Sequence, residues 1–332
     1  MDLVSPGRGK MTALGITCWS ATKANFEIMK ELGCTEFYSV VEWCNHHKSP
    51  DHYYWSQLDK EFALEEQYGI KSIRVIMHTP LWASGVDRTD CKFRPRSYPP
   101  RTLEYYGRFC AALVRRYPDR EWILWGEPDN SWPREDAKII QWAGDAETYA
   151  KMAKYAYVEM KKADSKCVVG LGSLVGATLN GTYRTVVENN KPLNKLPFFE
   201  KLLELDMGNY CDFIPLDLYC WGYGGSRNFL AGIRKIKGIM ADFNVKKPLY
   251  IMECGAKITP PGGKMREEFH HEVVNEETQA GFLLRAYKWS QENKIDKLFW
   301  HTLKDSNWGV INRLGRPHLS YHVFKAMKAG SF

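Results

Sequence analysis

Two glutamates stand at the ends of apolar segments, each close to a residue that breaks regular structure. Glu127 is followed by Pro128, and Glu253 lies two residues before Gly255. A carboxylate is costly to bury without a partner, so each of these needs either a function or a local bond to a loop amide or an arginine. The second, purely structural interpretation suffices for either glutamate taken alone.

A facing pair of carboxyl groups has a more specific use. Such a pair suits cleavage of a glycosidic bond, in which one acid protonates the leaving oxygen and the other supports positive charge at the anomeric carbon. Two neighbouring carboxylates also resist ionising together, so one of them stays protonated near neutral pH and can act as the acid. Whether Glu127 and Glu253 can meet depends on the fold that carries them.

Short apolar segments rich in β-branched residues alternate with longer amphipathic ones along the chain. Such alternation is typical of parallel strands covered by helices. Gly33 and Gly69 provide stop signals for the first two long helices. The predicted strands are residues 13–18, 36–42, 72–78, 122–127, 167–172, 212–219, 249–253 and 297–303. The predicted helices are residues 22–33, 56–68, 102–117, 146–163, 228–243, 276–293 and 319–328.

Eight strand–helix units predict a (β/α)8 TIM barrel, with an open doubly wound sheet as the alternative. We expect one domain over residues 11–332, preceded by a short extension of residues 1–10. Active sites of such barrels lie at the carboxyl ends of the strands. Glu127 and Glu253, which end predicted strands four and seven, are therefore expected to face each other across one mouth.

Further polar and aromatic side chains end the other predicted strands. His78 is either a donor to a sugar hydroxyl or a structural residue, and Glu42 is either a substrate ligand or a salt-bridge partner. Aromatic side chains stack on the apolar faces of sugars as well as in cores. Trp82 and Trp132 are the predicted extra stacking platforms. Eight of the 12 tryptophans lie at or just beyond predicted strand ends: Trp19, Trp43, Trp82, Trp125, Trp132, Trp221, Trp300 and Trp308.

Composition excludes several other classes of protein. The net charge is +7, but lysines and arginines are scattered among 39 acidic residues, which does not indicate a nucleic-acid partner. A local excess of basic residues at 87–101 indicates either a solvated loop or a site for an anionic substrate. We see no apolar run long enough for a membrane span and no secretory signal at the start of the chain. Nine cysteines without a CxxC pair indicate a reducing compartment, so we expect a cytoplasmic protein.

Motifs for metals, nucleotides or a serine nucleophile are missing from the sequence. The histidines do not form a zinc pattern, and the glycines of residues 170–176 have the wrong spacing for a phosphate-binding loop. We therefore expect no cofactor and no metal, and a glycoside or oligosaccharide as the partner. The oligomeric state is not predicted.

At the two glutamates and around them, the sequence resembles the clan-A retaining glycoside hydrolases. Within the clan it is most similar to the β-xylosidase and α-L-iduronidase family. Each motif is short, but their order along the predicted strands strengthens the likeness. The matching segments are residues 76–83, 125–130, 212–219 and 248–255, together with Trp300 and Trp308-Gly309-Val310.

The resemblance implies a role for four positions. Glu127 matches the general acid/base, and Glu253 matches the nucleophile. Tyr219 matches the tyrosine that hydrogen-bonds the nucleophile and holds it ionised. Trp300 matches the aromatic floor beneath the sugar at the cleavage site.

Two positions depart from the pattern that the resemblance implies. Gly126 stands where the clan has an asparagine that binds the sugar 2-hydroxyl, and Asp217 stands where relatives often have histidine. Either another side chain replaces the amide, or the sugar has an axial or substituted 2-position. Asp217 is expected to reshape the hydrogen bonds around Glu253 or to bind a sugar hydroxyl. The alternative to an active enzyme is a degenerate, carbohydrate-binding barrel without turnover.

Overall fold

A computed structural model describes residues 11–87, 94–129, 141–175, 187–188, 191–192, 198–219, 225–259 and 273–331. The predicted extension of residues 1–10 and the predicted platform Trp132 lie outside these ranges. The single-domain organisation stays a prediction.

Nine strands form one sheet in which every pair is parallel. They are β1 (Ala13–Thr17), β2 (Glu36–Glu42), β3 (Lys71–Met77), β4 (Glu121–Leu124), β5 (Val168–Gly170), β6 (Leu174–Val175), β9 (Ile214–Asp217), β10 (Leu249–Cys254) and β13 (Lys297–Trp300). Across the sheet they follow one another in the order β5-β4-β3-β2-β1-β13-β10-β9-β6. Two small ribbons pair β7 (Val187–Glu188) with β8 (Lys191–Pro192), and β11 (Lys257–Ile258) with β12 (Val273–Val274).

The two edge strands of the nine-stranded sheet, β5 and β6, follow each other closely along the chain. β5 pairs with β4 at one edge and β6 pairs with β9 at the other, while Gly170 at the end of β5 also bridges to Phe213 beside β9. The predicted strand at 167–172 forms only β5, and β6, which lies just beyond it, serves the second neighbour. This curled parallel sheet with β1 beside β13 is consistent with a (β/α)8 TIM-like fold and not with an open doubly wound sheet.

Helices follow most of the strands in the described ranges. The predicted helices at 56–68, 146–163 and 319–328 are reproduced to the residue. Gly33 and Gly69 adopt left-handed φ values of 73° and 66°, as the predicted helix stops require. The helices are α1 (Lys23–Glu31), α2 (Trp43–His46), α3 (Ser56–Tyr68), α4 (Glu104–Arg116), α5 (Ala146–Ala163), α6 (Phe198–Glu204), α7 (Gly225–Asp242), α8 (Glu276–Glu292) and α9 (Leu319–Lys328).

An ion cluster joins the amino ends of three strands. Nζ of Lys297 on β13 lies 2.5 Å from Oε1 of Glu36 on β2 and 2.8 Å from Oε1 of Glu121 on β4. Half-buried charges of opposite sign can meet here because each satisfies the other. This contact ties the three strands together at the end of the sheet opposite to Glu127 and Glu253.

Within the described ranges, no helix combines the length and the apolar character that a membrane span requires.

Candidate active site

Glu253 lies near the carboxyl end of β10, beside Asp217 of β9. The pairing of these strands shifts register between Ile251 and Glu253, and this shift makes Glu253 the direct neighbour of Asp217. Glu253 is only 9% exposed. The phenol of Tyr219 donates a hydrogen bond to its Oε2, and Nδ1 of His301 lies 3.4 Å from the same oxygen.

Burial governs the ionisation of this group. It raises the pKa of Glu253 to about 7, and the hydrogen bond from Tyr219 opposes the rise because it favours the charged form. Burial and the nearby carboxylates keep the pKa of Tyr219 well above its ordinary value, so the phenol remains a donor. Burial also lowers the pKa of His301 to about 4, so the contact of its neutral imidazole with Glu253 is not an ion pair at neutral pH.

Asp217 is almost completely buried, with 1% of its surface exposed. Neither carboxyl oxygen has a hydrogen-bond partner within the described ranges. Burial first, and then the charges of Glu253 and Glu127, raise its pKa well above the ordinary value, while the nearby Ser173 hydroxyl opposes the rise only in part. Burial therefore favours the protonated form of Asp217, and its side chain has almost no exposed surface with which to touch a sugar.

Glu127 lies beyond the end of β4 in a strained segment. β4 ends at Leu124, three residues before the predicted end, and Trp125 and Glu127 have left-handed φ values of 83° and 44°. Such conformations cost non-glycine residues about 1–3 kcal/mol and persist only where surrounding contacts enforce them. Nε1 of Trp125 donates to the carbonyl of Gln141 at 2.8 Å, and the Glu127 amide donates to Oγ of Ser173 at 3.5 Å.

The two glutamates converge on one region of the molecule. Both of their charges raise the pKa of Asp217, and both raise the pKa of Tyr219. The backbone geometry agrees: the Glu127 amide donates to Oγ of Ser173, and Val175, two residues further on, pairs with Asp217, the direct neighbour of Glu253. The half-buried Glu127 and the buried Glu253 thus belong to one cluster at the carboxyl ends of β4, β9 and β10.

A second polar cluster lies at the ends of β2 and β3. Nδ1 of His78 is 3.5 Å from Oε1 of Glu42, and Nε2 of His78 is 3.4 Å from Oε1 of Gln141. Oε2 of Glu42 accepts a bond of 2.8 Å from Asn45 and lies 3.8 Å from Arg96. These neighbours, His78 above all, lower the pKa of Glu42 although burial opposes them. Glu42 is therefore an ionised salt-bridge partner, with His78 held at a left-handed φ of 71° beside it.

The predicted aromatic residues are distributed differently from expectation. Trp82 is half-buried, donates to the His47 carbonyl at 2.7 Å and packs edge-on against Tyr105. Trp300 has no exposed surface and lies against Phe282 of α8, with 6.1 Å between the ring centroids. Its ring faces the helix layer, so the expectation that it forms the floor beneath a sugar is not met by this arrangement.

His301, which the sequence analysis missed, lies beside Glu253 instead, flanked by Trp19 and Trp308, to which that analysis gave no individual role. His301 directly follows Trp300 and points to the other face of the strand, toward Glu253. Its ring lies between Trp19 and Trp308, at centroid distances of 6.1 and 5.8 Å. The available sequence signal was the alternation of side chains along a strand, which sends neighbouring residues to opposite faces.

The space next to Gly126 is filled by a neighbouring strand. A Cβ atom at this position would lie 3.3 Å from Sδ of Met77 and 3.6 Å from Cγ2 of Val75. Met77 thus occupies the volume toward which a side chain at position 126 would extend. Within the described ranges, no group of three or more potential metal ligands is present.

Comparison with known proteins places this geometry in a familiar fold. No protein-family model matches the chain. A family 39 glycoside hydrolase from Bacteroides cellulosilyticus WH2 superposes with a TM-score of 0.70 at 17% identity, over 96% of this chain and 64% of that chain. A β-xylosidase from Caulobacter crescentus CB15 superposes with a TM-score of 0.70 at 15% identity, over 96% of this chain and 68% of that chain. The chain therefore has the TIM-like fold of these glycoside hydrolase structures.

A curated relative is similar over a shorter stretch. A β-xylosidase from Caldicellulosiruptor saccharolyticus is 31% identical over 119 residues, which is 33% of this chain and only 22% of that protein. The match thus leaves most of the relative without a counterpart in this chain.

Proposed function

We propose that this chain is a retaining glycoside hydrolase that cleaves β-glycosidic bonds by double displacement. Glu253 attacks the anomeric carbon while protonated Glu127 gives its proton to the leaving oxygen, which releases the aglycone and leaves a glycosyl ester on Glu253. Glu127, now ionised, removes a proton from water, and the resulting nucleophile breaks the ester. Retention requires that the two carboxyl groups be about 5–5.5 Å apart.

The observation that carries the proposal is the convergence of Glu127 and Glu253 on Tyr219 and Asp217. Buried titratable groups whose pKa values are raised by burial and by one another's charges cluster at functional sites. Tyr219 donates to Glu253 and thereby favours the ionised form that attacks. The strained backbone at Glu127 also fits a catalytic position, since strain of this kind clusters at active sites.

The raised pKa falls on a different residue from the one that the sequence suggested. Two facing carboxylates predicted a protonated acid, and the resemblance assigned that role to Glu127. Burial instead raises the pKa of Glu253 to about 7, so the nucleophile is fully ionised only above neutral pH. We therefore propose that the ligand-free enzyme is most competent for attack at neutral to slightly alkaline pH.

The substrate that we propose is a β-linked sugar with an axial or substituted 2-position, or one whose 2-hydroxyl is bound elsewhere than at residue 126. Gly126 has no side chain, and Met77 occupies the adjacent volume. The relatives named above as β-xylosidases make p-nitrophenyl β-D-xyloside the first substrate to test.

Hydrolysis of a panel of p-nitrophenyl β-glycosides tests the function directly. The panel contains the xyloside, glucoside, mannoside and N-acetylglucosaminide. We expect turnover of at least one member, and NMR should show the β-anomer as the first product. In Glu253→Gln we expect kcat to fall by at least about 1,000-fold. Turnover that persists in this variant would remove Glu253 from its role.

The same panel separates the enzyme from the carbohydrate-binding alternative. A binding barrel would turn over none of the glycosides while the wild-type chain still bound glycans in calorimetry. Both glutamates are present in one cluster, and this favours an enzyme because carbohydrate binding alone does not need two such carboxyl groups.

A further inference from the structure

Trp19 is a large aromatic side chain that the fold leaves 44% exposed. It follows β1 at the carboxyl end of the strand, between two anchored neighbours. The Cys18 amide donates to the Tyr38 carbonyl at 2.8 Å, and the Ser20 carbonyl accepts a bond of 2.7 Å from Nδ2 of Asn25. The backbone on both sides of Trp19 is therefore fixed, although much of its ring faces solvent.

The ring of Trp19 lies one residue away from the proposed nucleophile. It packs edge-to-face on Tyr38 at 5.4 Å and on His301 at 6.1 Å. Nδ1 of His301 in turn lies 3.4 Å from Oε2 of Glu253. Trp308 borders the other side of His301 and packs against Tyr219 at 5.2 Å. Trp19 and Trp308 thus flank His301, the imidazole that lies beside Glu253.

From this arrangement we propose that Trp19 is the stacking platform for the sugar ring that Glu253 attacks. A pyranose with its ring hydrogens gathered on one face offers an apolar surface to an indole, and the indole meets it with a rigid, half-exposed face. Trp300, which the sequence suggested for this task, has no exposed surface. The proposal rests on the proposed function and adds to it the residue that selects and orients the sugar.

The test compares Trp19→Ala and Trp19→Phe with a control at the opposite end of the barrel. Phe243 follows α7 and is 37% exposed, so Phe243→Ala removes an aromatic ring of similar exposure without touching the site. The kinetics are measured with the panel member that the wild-type chain hydrolyses fastest. We expect Trp19→Ala to lower kcat/KM by about tenfold or more, mainly through KM, and Trp19→Phe to stay within about threefold.

The outcomes separate this proposal from the proposed function. If the wild-type chain hydrolyses a glycoside and kcat/KM of Trp19→Ala is within twofold of that of Phe243→Ala, Trp19 is not the platform. The proposed hydrolase function is then unaffected. If no panel member is hydrolysed, the proposed function fails first. Folding of each variant is checked by its thermal unfolding midpoint. If Trp19→Ala unfolds at the assay temperature, Trp19→Leu, which keeps apolar volume without an aromatic face, replaces it under the same criterion.

Discussion

Tyr219 donates its phenolic hydrogen to Oε2 of Glu253, and this bond opposes the effect of burial on the Glu253 carboxyl group. The two effects have opposite signs: burial raises the pKa of Glu253 and the bond lowers it, with a net value of about 7. Because the proposed nucleophile must be ionised to attack, activity depends on the balance between them.

Removing the phenolic hydroxyl shifts this balance toward the protonated form. In Tyr219→Phe the pKa of Glu253 rises above about 7, so the acid limb of the pH profile of kcat/KM moves to higher pH. A hydrogen bond to a charged group contributes about 1.5–3 kcal/mol, which corresponds to about 1–2 pH units. The measurement is kcat/KM between pH 5 and 9. The control is Tyr117→Phe, which removes a hydroxyl that donates to the Asp59 carboxylate away from the site. We expect it to leave the acid limb in place. An unmoved limb in Tyr219→Phe would contradict the role of the bond.

Burial of Glu253 also has a consequence for stability. Its pKa is raised from 4.5 to about 7, so the folded state binds its proton more tightly than the unfolded state does. Stability from this group is fully present below pH 4.5 and is lost as the pH rises through 7. Glu253→Gln removes the cost of the buried charge. We expect it to unfold several degrees higher than wild type at pH 8 and at the same temperature near pH 4.

A carboxylate with the opposite shift provides the control for this experiment. Burial of Glu276 is outweighed by bonds from His318 and the Leu319 amide, and its pKa is lowered. Glu276→Gln therefore destabilises the chain at pH 8, where Glu253→Gln stabilises it. Equal effects of the two substitutions would show that loss of a carboxylate as such, and not burial of Glu253, sets the result.

The alternation of strands and helices could be predicted because its signals are local. Apolar segments, helix periodicity and the helix stops at Gly33 and Gly69 need no knowledge of neighbours. The end of β4 could not be predicted, because nothing local suggests that Trp125 adopts a φ of 83°. That conformation is held by a bond to Gln141, 16 residues away in sequence. β6, beyond the predicted strand at 167–172, likewise depends on a partner that is distant in sequence, β9.

The site was predicted where strand ends are unambiguous and missed where the face of a strand had to be chosen. Tyr219 lies against Glu253 at the strand ends, while the roles predicted for Glu127, Glu253 and Tyr219 stay predictions. Trp300 packs against the helix layer, whereas His301 lies beside Glu253. β13 belongs to a parallel sheet, and strands of such sheets are buried on both faces. Its apolar pattern then contains no signal for which residue points into the mouth. The role of Trp132 stays a prediction.

Loss of the proposed acid affects substrates according to their leaving groups. In Glu127→Ala, glycosides with poor leaving groups lose about 100- to 10,000-fold in kcat, because nothing protonates the departing oxygen. Dinitrophenyl glycosides, whose leaving groups need no proton, keep their rate of bond cleavage. Azide restores turnover because it attacks the glycosyl ester without a general base, and the product is a β-glycosyl azide detectable by NMR. Absence of both the leaving-group dependence and the azide product excludes Glu127 as the acid/base.

The contact between Gly126 and Met77 predicts a specific interaction between two substitutions. A Cβ at position 126 would lie 3.3 Å from Sδ and 3.4 Å from Cε of Met77, which is closer than most side-chain contacts. Gly126→Asn must push the thioether aside, and overpacking of this kind typically costs about 1–3 kcal/mol. Met77→Ala leaves a cavity that also destabilises the chain.

Each substitution relieves the defect of the other, because the new amide fills the space that the thioether vacates. The double variant Met77→Ala/Gly126→Asn is therefore expected to be more stable than the sum of the single effects by about 0.5–3 kcal/mol. Urea unfolding of the four proteins measures this coupling, and Val75→Ala, which shortens the next side chain along β3, replaces Met77→Ala in a control cycle. Strict additivity would mean that Met77 does not occupy the volume beside Gly126. A positive coupling identifies Met77 as the side chain that keeps an amide out of this part of the mouth.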